Sequence, residues 1–83
     1  MDTKLLEVVS QIIEEGNYKK SAKSDSTLKA GVEKLFNLHK EEKTEDSAKR
    51  VYNGIVELAK LGKGSMANKM AMRFEREIGY EDF

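Results

Sequence analysis

Apolar residues recur at spacings of three and four along this chain, in four stretches parted by glycines or dense charge, and that period leaves room for little besides helices. In the first stretch Leu5, Val8, Val9 and Ile12 share a face that Leu6 and Ile13 widen, predicting a helix over 3–15 that stops at Gly16-Asn17. Residues 17–25 lack an apolar period and read as a connection, basic through Lys19, Lys20 and Lys23. Leu28, Val32, Leu35, Phe36 and His39 then predict a helix over 26–41, with Asp25 or Ser26 as its cap. Thr44 or Asp46 opens a third, over 45–61, whose stripe is Ala48, Val51, Tyr52, Ile55, Leu58 and Ala59. After Gly62-Lys63-Gly64, Ser65 is the expected cap of a fourth helix over 65–78, closed by Gly79.

The absence of proline and the 7% aromatic content agree with helices rather than strands. The expected fold is all-α: a small antiparallel bundle of about four helices in a single domain spanning 1–83, because short connections favour antiparallel neighbours. The variant held beside it has three long helices and one loosely attached. Gly31-Val32-x-x-Leu35-x-x-Leu38-x-Lys40 echoes Gly54-Ile55-x-x-Leu58-x-x-Leu61-x-Lys63, a pattern that amphipathic helices reach by chance. A glycine inside a helix costs roughly 1 kcal/mol relative to alanine, so Gly31 and Gly54 suggest a close approach of backbones.

Charge narrows the range of functions. Fifteen basic and fifteen acidic residues cancel, whereas a non-specific nucleic-acid binder carries a positive excess. Without cysteine there is no disulfide, thiolate metal site or thiol nucleophile, and a cytoplasmic location is expected. Glu7, Ser10 and Gln11 break the first apolar stripe, so neither a secretory leader nor a membrane span is expected. His39 has no second histidine or cysteine to share a metal and is expected at a helix end. The paired carboxylates Glu14-Glu15, Glu41-Glu42 and Glu45-Asp46 fall at helix ends, not in an apolar pocket suited to general acid–base work. No enzyme activity, cofactor or metal is expected.

The most informative stretch is 60–76, where Lys60, Lys63, Lys69, Arg73 and Arg76 face a single acid, Glu75. At 100° per residue the fourth helix turns Met66, Met70, Ala71 and Phe74 inward. It turns Ser65, Asn68, Lys69, Met72 and Arg76 outward, with Arg73 at the margin. A methionine among cations suits an adaptable partner surface. Lys63, Asn68, Lys69, Met72, Arg73 and Arg76 are therefore the candidate partner-binding residues.

Three other features bear on function. The third and fourth helices with their turn outline a helix-turn-helix, in which Asn68, Lys69, Arg73 and Arg76 have base- and phosphate-reading chemistry, although the alanine-then-glycine spacing of that motif is not matched. Gly62-Lys63-Gly64-Ser65 is not a nucleotide loop, because Glu57 stands where the first glycine belongs and a helix, not a strand, precedes it. A simple anion at the start of the fourth helix stays open beside an empty cap. The terminal Tyr80-Glu81-Asp82-Phe83 is acidic and aromatic, fit to cover the bundle edge or to enter a partner groove.

In its layout, with Glu57-Leu58 through Gly62 and then Gly79-Tyr80-Glu81-Asp82-Phe83, the chain resembles the bacteriocin immunity proteins of the enterocin A type. That resemblance implies a cytoplasmic helical protein that protects its producer by acting on a membrane receptor complex, and it assigns no residue here. The residues themselves point first to a small non-enzymatic accessory protein, of prokaryotic or phage style, docking on an acidic protein surface through its basic last helix. A DNA-binding regulator, working as a homodimer, is the second expectation.

Overall fold

Each of the four periodic stretches becomes a helix: α1 (Leu5–Glu15), α2 (Asp25–Glu42), α3 (Glu45–Lys60) and α4 (Gly64–Glu77). The computed structural model describes residues 4–16, 18–19 and 23–79. The expected tail contacts of Tyr80–Phe83 and the role of Lys20 lie outside the described residues, as does the expected helix start at Thr3.

Helix ends follow local chemistry, with two corrections. Ser24, not Asp25 or Ser26, caps α2, its hydroxyl accepting from the Thr27 N–H at 3.3 Å. Asp25 instead occupies the first turn, where a carboxylate meets the positive end of the helix dipole. Ser65 does not cap α4, which begins one residue earlier at Gly64 with no side-chain cap at all. Thr44 caps α3 as expected, in a reciprocal box with Ser47: Thr44 Oγ1 accepts from the Ser47 N–H at 3.0 Å, and Ser47 Oγ accepts from the Thr44 N–H at 3.1 Å. Serine takes the place usually held by glutamate or glutamine, which lets the pair bury, and Ser47 is fully enclosed. His39 Nδ1 lies 2.7 Å from the same hydroxyl, so the last turn of α2 is tied to the first turn of α3.

Between α3 and α4 the Lys63 N–H donates to Leu58 O and the Gly62 N–H to Ala59 O, closing α3 with the paired bonds of a Schellman turn. Gly62 takes φ +78°, the left-handed region a side chain rarely adopts, and the Tyr18 ring lies over it. Gly64 is needed for space: a Cβ there would stand 2.8 Å from Ile13 Cδ1. The Gly-Lys-Gly run is thus explained by chain reversal and by the close seat of α1 on the start of α4.

Helices α1, α3 and α4 each contact the other two, while α2 lies against α3. Ion pairs run in register down α2 and α4, from Lys63–Asp25 through Arg73–Glu33 to Lys40–Glu77, so these two helices run the same way. His39 beside Ser47, near the end of α2 and the start of α3, makes those two antiparallel. The result is a small four-helix bundle with no strand among the described residues. Its core is formed by the predicted stripes, with Leu5, Val9, Phe36, Ile55 and Phe74 enclosed and the Phe74 ring set edge-on to Tyr52 at 6.0 Å. Gly54 is crowded as expected, but by a side chain, Leu35 Cδ1, at 2.8 Å from an added Cβ, and Gly31 has open space around it.

Candidate functional site

The face of α4 that points away from the core carries Ser65, Asn68, Lys69, Met72 and Arg76, at the spacing that keeps side chains on one side of a helix. Opposite them Ala67, Met70, Ala71 and Phe74 are buried. Lys69 and Arg76 are exposed, Asn68 is half-buried, and Met72 is 51% exposed. No carboxylate among the described residues lies within ion-pairing distance of Lys69 or Arg76. Tyr18, the other large apolar side chain left exposed among the described residues, is engaged with its own chain, its hydroxyl donating to Ile13 O at 2.9 Å.

Two of the six candidate residues are placed differently. Lys63 turns to α2 and meets Asp25 Oδ1 at 2.7 Å. Arg73 leans across to α2 as well. Its Nη1 donates to Glu33 Oε1 and its Nε to Glu77 Oε2, both at 2.6 Å, while its guanidinium lies 4.1 Å from the centre of the Phe36 ring. The hydrogen bond from Arg73 holds the Glu33 carboxyl below its ordinary range, and Glu33 in turn raises Arg73. These two cations serve the fold. Spacing marks only Glu77, at i+4 from Arg73; the α2 partners Asp25 and Glu33 stand about forty positions away from Lys63 and Arg73, beyond the reach of sequence reading.

A furrow opens between α2 and α4, with Met66 and the edge of the buried Met70 among its lining and a volume of about 440 Å³. Lys29 of α2 enters it along with Lys69 and Arg76 of α4. Sequence reading overlooked Lys29. The available signal was its place at i−4 from Glu33 and three residues before Val32, on the flank of the α2 stripe. Only the register of α2 against α4 reveals what that flank faces.

The remaining sites are occupied by structural roles. At the start of α4, the place considered for an anion, Lys63 is bound to Asp25. His39 is half-buried against Ser47. Among the described residues no group of three or more histidines or carboxylates is placed to hold a metal, and no helix is long and apolar enough to cross a membrane. Comparison of the chain with protein-family models, with curated proteins and with solved structures gives no match.

Proposed function

We propose that the protein is a non-enzymatic binding module that docks on an acidic surface of a protein partner through the outer face of α4. The observation that carries this reading is Met72, half exposed one turn from Lys69 and one turn from Arg76, with neither cation in an ion pair among the described residues. The neighbouring cations Lys63 and Arg73 are neutralised within the fold, so the charge left on this face is placed where a partner can reach it. A pliable thioether between two positive charges supplies apolar contact, and the charges supply steering, which raises association rate more than affinity.

Reversal of both charges, Lys69→Glu with Arg76→Glu, is the direct test, read by affinity capture from the native host and mass spectrometry. A partner held by the wild-type chain and lost with the double variant, at unchanged thermal stability, is the expected result. Retrieval of the same proteins by both removes the reading. Retention on duplex DNA that falls steeply with salt would favour the helix-turn-helix alternative instead.

A further inference from the structure

The furrow between α2 and α4 is crossed by two internal ion pairs, Asp25–Lys63 and Glu33–Arg73. In the chain, Lys29 falls between Asp25 and Glu33 on α2, and Lys69 falls between Lys63 and Arg73 on α4. Two cations from different helices therefore share one furrow in the interval framed by the two bridges. The acids that face them are already used: Asp25 is held by Lys63, and Glu33 by Arg73. Arg76 is a third cation of the lining; among the described residues none of the three forms an ion pair, although Lys29 stands near enough to Glu33 to help lower its pKa. Like charges gathered in a furrow repel each other, and an anionic occupant converts that cost into attraction.

The occupant is not a bare anion, because the furrow is not purely polar. Met66 and Met70 lie among the cations, and their sulfur-bearing side chains adapt to apolar groups of varied shape. From Ser65 to Arg76 the α4 wall extends for roughly 16 Å at 1.5 Å per residue, the length of about three helical turns. A segment that fills it must carry carboxylates and apolar side chains together, in a repeat that meets both walls.

We infer that the furrow between α2 and α4 binds an acidic amphipathic helical segment of a partner protein. Its carboxylates meet Lys29, Lys69 and Arg76, and its apolar side chains rest on Met66 and Met70, in the helix-in-groove mode of recognition. The inference rests on the docking role of α4 and extends it across to α2, making Lys29 a recognition residue.

The test is an amide-resolved NMR titration of the intact chain with synthetic peptides of about three helical turns. One carries glutamates on one face and leucines on the other. A second has lysines for the glutamates, a third has serines for the leucines, and inorganic phosphate is a separate probe. The expected result is saturable binding of the first peptide alone, with shifts at Lys29, Met66, Lys69, Met70 and Arg76. Lys29→Glu should weaken it at least about ten-fold, and Lys29→Ala, which avoids placing a new acid near Glu33, by a smaller factor in the same direction.

Failure of the acidic amphipathic peptide to bind overturns the inference. So does equal binding of the serine peptide or of phosphate, since Met66 and Met70 would then have no part. Loss of binding with Lys69→Glu and Arg76→Glu, but not with either Lys29 variant, retains docking on α4 and removes the furrow. Loss with the Lys29 variants alone removes both the docking role of α4 and the inference, because Lys69 and Arg76 would then take no part.

Discussion

The guanidinium of Arg73 lies 4.1 Å from the centre of the Phe36 ring, joining an exposed edge of α4 to the buried stripe of α2. The arginine is also forked between Glu33 on α2 and Glu77 on its own helix. Since α2 packs on α3 and reaches α4 largely through side chains, this residue closes the middle of the open side of the bundle, between the Lys63–Asp25 and Lys40–Glu77 pairs.

Arg73→Ala should therefore destabilise the protein by about 1–2 kcal/mol, combining a cation–π contact, a partly shielded ion pair and lost packing of the side-chain stem. For a domain of this size the thermal midpoint should fall by roughly 4–8 °C per kcal/mol. Arg73→Lys should recover little of the loss, because an ammonium cannot lie flat on Phe36 while donating to Glu33 and Glu77. Thermal and urea unfolding followed by circular dichroism measure both variants, and a midpoint for Arg73→Ala equal to wild type contradicts this role.

Acid should weaken the same clamp. The folded-state pKa of Glu33 is depressed, chiefly by its hydrogen bond from Arg73. The stabilisation is complete above the ordinary carboxylate range and is lost as pH falls through the lower, folded value. In Glu33→Gln this contribution to the acid limb should vanish, so its stability should drop less than wild type between neutral and strongly acidic pH. Urea midpoints at a series of pH values show the difference, and superimposable acid limbs would contradict it.

The two helix-interior glycines should respond differently to alanine. Gly31→Ala places a methyl group in open space and should stabilise by about 0.5–1 kcal/mol through helix propensity. Gly54→Ala brings the same propensity gain but sets its Cβ 2.8 Å from Leu35 Cδ1, so Leu35 must move. Its net effect should be smaller than that of Gly31→Ala, because the displaced Leu35 offsets part of the propensity gain. Equal gains from the two variants would show that the Leu35 contact carries no cost.

Reading the fold from sequence worked where the determinants are local. The stripe Ala48, Val51, Tyr52, Ile55, Leu58 and Ala59 repeats at the helical period, and all six side chains are buried. Gly16 and Gly62 stop helices through left-handed φ values, as their lack of a side chain allows. Local reading failed at Ser65, because α4 begins at Gly64, with Lys63 O accepting its first helical bond from the Ala67 N–H, and no side chain caps it. At the other end of the bundle α2 stops at Glu42, one residue past the expected 41, with Lys43 taking φ +51° although no glycine marks the position.

What the chain determines by itself is the set of helices, their apolar faces and the cationic excess of the last one, because these depend on neighbours within about one helical turn. Which of those cations remain available was decided only by the tertiary structure. Apart from Glu77 at i+4 from Arg73, spacing records nothing that separates Lys63 and Arg73 from Lys69 and Arg76. They differ in which side chains of α2 stand opposite once both helices pack on α3, and Coulombic pairing acts over a few ångströms of space, not over positions in sequence.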